Sequence, residues 1–516
     1  MLHYYRSGPL LLLAAIGLAL ILPEVAHADE FCNVRALGAV GDGKHLDSPA
    51  INSAIETTAS SGGGTVLVPA GTYLCGSIHL KSNINLLIDA GATILGAPQS
   101  MNVYDETEPW ANNPYQDGGH CYFHNSLIWG ENLTNVTISG RGTINGGGVV
   151  HADKILDDMC GYSYWQKKLP LPPGFAPAPV RLGNKAIALK LCRNVLIHDV
   201  TIAHGGHFGI LATGCDDMTI DNVTIDTDRD GMDIDCCRNA MVSNCRVNSP
   251  RDDGICPKSS YALGYNVITE NLTITNCQVS GFLEGTLLDG TMKPSPTRIG
   301  RIKFGTEASG GFRNCTISNC TFRSCRGLAL EEVDGGLMEN ITISNLTMMD
   351  VMDYAIYITT GTRNRGGDLK QPSTLRNILI TNVIADHVPK QSGIQITGTP
   401  GQPIDNVRLD NIRLFSDGGG TSQDAAQTPP ELGTGYPEPK GTMPAYAIFA
   451  RHVRDLELAN INTACYNADA RPAASFSDID GLEIDNFKPK VPTGTTPVVM
   501  SKDVRGAVVR NSPLLQ

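Results

Sequence analysis

Residues 218–247 read MTIDNVTIDTDRDGMDIDCCRNAMVSNCRV. Two copies of one pattern stand in this stretch, MTIDNVTI from Met218 and AMVSNCRV from Ala240. Each is a short run of alternating apolar residues, an Asn, then a second short run. The pattern returns as NVTISG from Asn135, NVLIHDVTI from Asn194, LTITNCQV from Leu272, CTISNCTF from Cys315 and ITISNLTM from Ile341. It continues as ILITNV from Ile378, VRLDNIRL from Val407, LELANINT from Leu456 and LEIDNF from Leu482. At their shortest, equivalent positions recur at roughly 22–26 residues, a period that means a solenoid. Short strands with Asn at the turn predict a parallel β-helix, because Asn tolerates left-handed backbone and can pair with itself from coil to coil.

Composition agrees. Gly is abundant, at 55 of 516 residues, and aromatic residues are only 6%. Before the strands, Asp47 or Ser48 can cap a helix with Pro49 in its first turn, and Ile51, Ala54 and Ile55 give it one apolar face. Such a helix would cover the open end of the β stack. The Asn-x-Thr sequons at Asn132, Asn135, Asn222, Asn271, Asn314, Asn340 and Asn345 fall in the repeat's own phase, so they read as turn residues. Three insertions break the period: 97–125, 151–184 and a Gly/Pro/Ser-rich segment at 416–444 that reads as mobile.

Arg6 precedes an apolar run at 9–22, and Ala26-His27-Ala28 offers a cleavage site, so residues 1–28 read as a secretory signal. Residues 29–516 are then one domain, secreted or periplasmic, with no membrane attachment after cleavage and expected to be monomeric. The odd count of 15 cysteines leaves at least one outside any intramolecular disulfide. Cys245, Cys277 and Cys320 each follow Asn and read as stacked, buried thiols. A formal charge of −12 disfavours nucleic acid as a partner.

The chemistry lies in the carboxylates. Asp230 precedes Asp252 by one coil at the repeat length, and Asp252 is followed by Asp253. Neighbouring coils are about 4.8 Å apart, so the three acids can share one cleft. Cleaving a glycosidic bond needs an acid on the leaving oxygen and, with inversion, a base for a water. Calcium binding is the competing reading, since Asp216, Asp217, Asp228, Asp233 and Asp235 crowd the same region. A calcium-dependent polysaccharide lyase or a non-catalytic glycan binder would use the same groove. Arg301 and Lys303 alternate in a strand-like run and, with Lys258, could bind an acidic sugar. Glu307, Glu331, Glu332 and Asp334 are further polar positions, Tyr357 and Arg363 are possible groove residues, and His204 and His207 lie one coil before Asp230.

At these residues the chain resembles glycoside hydrolase family 28, the polygalacturonase and rhamnogalacturonase group. Asp228-Arg229-Asp230-Gly231-Met232-Asp233-Ile234 resembles that family's Asn-Thr-Asp-Gly segment, and Arg251-Asp252-Asp253 its Gly-Asp-Asp segment. The early GAVGDG run and the capping helix fit as well. The resemblance implies a right-handed parallel β-helix and inverting hydrolysis of a pectic polysaccharide or oligosaccharide without a cofactor or metal. Asp252 would be the general acid, and Asp230 and Asp253 would hold and activate the water. Lys258, Arg301, Lys303, His207 and Glu307 would contact substrate. Two departures stand out. Ile299-Gly300-Arg301 replaces the family's Gly-His-Gly segment, and Arg301-Ile302-Lys303 spells an Arg-Ile-Lys motif too early in the chain.

Overall fold

Alternating apolar runs interrupted by Asn fold here into coils stacked in parallel, as expected. The computed structural model describes residues 31–108, 118–150, 181–366, 371–391, 393–439, 441–490 and 498–515. The proposed signal, residues 1–28, and most of the second insertion lie outside the described residues. Every ladder between named strands is parallel, in one sheet of 29 strands and one of six. The apolar positions of the repeats point inward and form one continuous core from Val34 to Phe487.

The turns explain why the repeats carry Asn. Asn222, Asn244, Asn276, Asn319, Asn345, Asn382 and Asn411 all have φ between +52° and +58°. Most residues with a Cβ resist this region, whereas the short amide side chain can satisfy it locally. The amides then join coil to coil: Asn345 donates to Asn319 at 2.9 Å, Asn382 to Asn345 at 3.0 Å and Asn411 to Asn382 at 2.8 Å. A second ladder runs from Asn271 on Asn239 to Asn406 on Asn377. Of the sequon asparagines, Asn135, Asn271, Asn314, Asn340 and Asn345 are ladder residues, and Asn222 donates to Asp199.

The helix α1, Ser48–Ser60, buries Ile51, Ala54 and Ile55 against the first strands. Asp47 does not cap it through its side chain. Its carboxylate instead accepts from the amides of Val40 and Gly41 at 2.7 and 3.0 Å, tying down the GAVGDG turn. The first insertion contributes a short helix, α2, Gly118–Cys121. The cysteines with described side chains are all unpaired, and Cys245, Cys277 and Cys320 are buried in the core as expected.

One face of the helix carries the site. Its strands are β1 (Ile78–His79), β2 (Ile128–Glu131), β3 (Lys185–Lys190), β4 (Phe208–Thr213), β5 (Asp230–Asp235) and β6 (Ile255–Lys258). It continues through β7 (Lys303–Phe304), β8 (Arg326–Glu332), β9 (Met352–Thr360) and β10 (Ile394–Thr397). Beyond these come β11 (Ile448–Cys465), β12 (Ala474–Asp485) and β13 (Val499–Arg505). A single outward row runs Lys303, Ala329, Tyr357, Gln395, Phe449, Ser475, Met500.

The third insertion is not the loose loop its composition suggested. A short helix α3, Ser422–Ala425, is closed by a Thr421/Asp424 capping box. Residues 429–439 then cross the face above Tyr357, Gln395 and Thr397. Arg451 donates to the Pro429 carbonyl at 2.7 Å, Thr362 to the Gly433 carbonyl at 3.0 Å, and Arg326 to Glu438 at 2.9 Å.

The ladder makes a testable statement. Asn345→Ala should lower stability by about 1–2 kcal/mol, because alanine resists positive φ and removes two amide bonds. Asn345→Gly, which keeps the backbone, should lower it less. Denaturant melts of the two variants distinguish a conformational role for Asn from a merely polar one, in which both would fall equally.

Candidate active site

Strand β5 follows the period-two rule: Met232 and Ile234 enter the core, and Asp233 and Asp235 face outward. Its register on β6 pairs Met232 with Ile255 and Asp233 with Cys256. Asp230 was expected beside the Asp252-Asp253 pair, and the register sets it opposite Asp253. Gly231 donates to the Asp253 carbonyl at 2.9 Å, which sets Asp253 directly beside Asp230. Oxygens of Asp230 and Asp253 and the Cys256 sulfur lie within 4.8 Å of one another. Asp252 turns outward. Its side chain is 27% exposed, against 3% for Asp230 and 1% for Asp253, and it pairs with Arg229 at 2.6 Å.

The three predicted acids are therefore together, with two buried and one at the mouth. Their environments differ. Burial pushes the Asp230 carboxyl well above the usual range, reinforced by the charges of Asp252 and Asp233. Burial would raise Asp253 as well, but Lys303 and Arg301 outweigh it and hold that carboxyl below its ordinary value. Lys303 Nζ lies 2.5 Å from one Asp253 oxygen, and Arg301 Nε lies 2.7 Å from the other.

This changes the reading of the basic residues. Arg301 and Lys303 were expected to meet substrate. Both are buried and turned onto Asp253, because an ionised carboxylate this far from water requires paired cations. Lys258 is similarly committed, 3.2 Å from Asp233 and 3.0 Å from Glu307. Glu307 also meets Arg363 at 3.3 Å, and Arg363 reaches Asp334. Lys258, Arg301, Lys303 and Glu307 form a buried framework around the acids and not a free cationic surface. His207 is buried too, edge-on to Phe208 with ring centroids 4.4 Å apart.

Two participants escaped the sequence reading. His120, from the first insertion, lies on α2. Its Nε2 is 3.3 Å from Asp233, and its ring stands edge-on to Phe208 at 4.7 Å. No local motif marks a histidine that reaches its partner across 113 residues. Asp233, set aside as structural, was legible from the alternation of β5. Residue 119 must be glycine here, since a Cβ would sit 2.0 Å from His207 Cδ2. Along the axis, α2 bounds the acids on the β4 side, and residues 429–439 bound them on the β9 side.

Asp230, Asp253 and Cys256 are the one grouping among the described residues with the spacing of a metal site. The donors suit calcium poorly. One is a thiol kept protonated by burial, and another is a carboxylate already paired with two cations.

The fold and these acids define the class as a parallel β-helix that carries a cluster of carboxylates on one face. Comparison with known proteins narrows it. Residues 185–365 match the model for a right-handed β-helix region, and residues 31–168 the model for rhamnogalacturonase A/epimerase, pectate lyase-like. A probable polygalacturonase of Vitis vinifera is 23% identical over 396 residues, spanning 73% of this chain and 72% of that protein. An exo-poly-alpha-D-galacturonosidase of Dickeya chrysanthemi is 23% identical, spanning 72% of this chain and 65% of that one. In fold, the exopolygalacturonase of Thermotoga maritima superposes with a TM-score of 0.61 at 22% identity, over 75% of this chain and 88% of that one. The family 28 exopolygalacturonase of Yersinia enterocolitica gives 0.52 at 18% identity, over 93% and 78%. The likeness to the polygalacturonase group thus runs through most of the chain, and the enzyme class it indicates is the glycoside hydrolases.

The raised Asp230 carboxyl gives a pH prediction. A group whose folded pKa exceeds its unfolded value stabilises most at low pH and loses that contribution as pH rises through the folded value. Asp230→Asn removes the burden of ionising a buried acid. The variant should gain melting temperature over the parent at pH 8, by about 1–3 °C per kcal/mol for a chain this long. The gain should shrink toward pH 4. A constant difference across pH would show that Asp230 is not held protonated.

Proposed function

We propose that the protein is an exported, inverting glycoside hydrolase that removes short units from the end of a pectic, galacturonan-type chain. The observation that carries this is the division of labour among adjacent carboxylates. Asp253 is held as an anion by Lys303 and Arg301, while burial, and after it the charge of Asp252, raises the Asp230 carboxyl. Asp252, the exposed member, acts as the general acid on the leaving oxygen. Asp230 and Asp253 hold the water, and Asp253, the ionised member, takes up its proton as it attacks the anomeric carbon. The bond to the leaving sugar breaks, and the anomeric configuration inverts.

The relatives named polygalacturonase support the substrate class, and two of the relatives are named as exo-acting. The loops on either side of the acids support end attack: α2 stands on the β4 side, and residues 429–439 lie over the face on the β9 side. Arg229, beside Asp252 at the mouth, is the cation placed to meet an arriving sugar carboxylate. Export rests on the N-terminal run at 9–22; mass spectrometry of the mature secreted chain should find residue 29 at its start.

Asp252→Asn should reduce turnover on polygalacturonate by about 10²–10⁴-fold without changing the melting temperature by more than a degree or two. Parent digests should release small products while viscosity falls slowly, and NMR of fresh product should show the inverted anomer. An unsaturated product absorbing in the ultraviolet would overturn hydrolysis, and a rapid viscosity drop would overturn end attack.

A further inference from the structure

Residues 429–439 divide the long face, and a second cavity opens on the far side. It measures about 170 Å³. Its floor is built by three consecutive coils: Phe449 and Arg451 of β11, Ser475 and Ser477 of β12, and Met500 and Lys502 of β13. Its wall is the segment 425–429, just after α3. Along the outward row, Ser475 is five coils beyond Lys303, so the cavity lies about 24 Å from the acids at the usual strand spacing.

The lining is chemically mixed. Phe449 and Met500 give an apolar patch, and the three hydroxyls of Ser475, Ser477 and Ser501 stand beside it. Two cations complete it. Lys502 is exposed on β13. Arg451 is 7% exposed, and its guanidinium lies 5.7 Å from the Phe449 ring centroid. Its terminal nitrogens hold the carbonyls of Pro429 and Pro430 and approach Glu431 at 3.1 Å. Its Nε is buried with no hydrogen-bond partner. A buried donor without an acceptor is uncommon and points to a group that is supplied from outside.

We propose that this cavity is a second carbohydrate site, which takes one carboxylate-bearing sugar residue of a polymer. Apolar side chains pack against a sugar ring face, hydroxyls exchange hydrogen bonds with ring hydroxyls, and paired cations recognise a carboxylate. A neutral sugar would bring no anion to Lys502, the exposed cation of the site, or to the Arg451 guanidinium behind it, so the site discriminates by charge. Held about 24 Å from the cleft on the same face, it gives the protein a second grip on a long chain and none on a short one. The identity of the sugar as galacturonate rests on the function proposed above; the site's preference for acidic over neutral sugars does not.

The test uses the full-length mature protein carrying Asp252→Asn, so that no turnover occurs. Galacturonic acid and galactose are titrated separately and followed by saturation-transfer NMR. Lys502→Glu and Met500→Trp are then added singly; both positions face solvent and leave the core unchanged. Galacturonic acid should saturate two sites, and each added substitution should weaken one of them at least tenfold while sparing the other. In the active background, the same substitutions should raise KM on polygalacturonate severalfold and leave KM on digalacturonate unchanged. Equal binding of galactose, or unchanged stoichiometry in both variants, would overturn the proposal. Two-site binding in a protein that proves inactive on pectic substrates would uphold this site and overturn the hydrolase reading alone.

Discussion

The left-handed Asn turn is the constraint on which the structure depends. At each such corner the chain adopts a backbone most side chains resist, and the amide then bonds its counterpart on the next coil, as from Asn345 to Asn319. Neither half suffices alone. Glycine would make the corner without the ladder, and serine would offer a hydrogen bond without the geometry. Because successive corners are anchored to one another along these ladders, short coils and coils twice as long remain aligned. Extra residues are expelled into loops, and the strands hold their stacking.

Those expelled loops make the site. A bare β-helix face is a flat ladder open at both ends. The first insertion returns α2 and His120 over β4, and the third lays residues 429–439 across β9 and β10. Between them a run of outward acids is withdrawn from water, and burial becomes the dominant influence on their charge. The protein answers with Lys258, Arg301, Lys303 and Arg363, each pressed against at least one acid. Arg229 and Asp252 stay partly in solvent, so the mouth keeps an ion pair that can be exchanged.

Much of this was legible in the chain. The repeat of short alternating runs with Asn exposes the β-helix because its period is local and recurs many times. Asp230, Asp252 and Asp253 were legible because coil length converts sequence separation into adjacency. Which member of the pair faces Asp230 was not, since a turn can absorb one residue; the ladder puts Asp253 there. The pairing of Arg301 and Lys303 with Asp253 was not legible for a different reason. Alternation places both on the outer face, but it says nothing about what lies above that face. His120 could not be found, because its partnership with Asp233 is made by a loop closing over more than a hundred residues.

The placement of the acids on successive coils has a further consequence. Their separation is a lattice constant of the stack and not a conformational coordinate. A hinged enzyme can open, close and compress its reacting groups, whereas here the interval between Asp230 and Asp253 is set by main-chain bonds such as Gly231 to Asp253. The interval can change only by whole steps of the ladder. Such a site is prepared before substrate arrives, has little reorganisation left to perform, and must choose its substrates by what the loops admit.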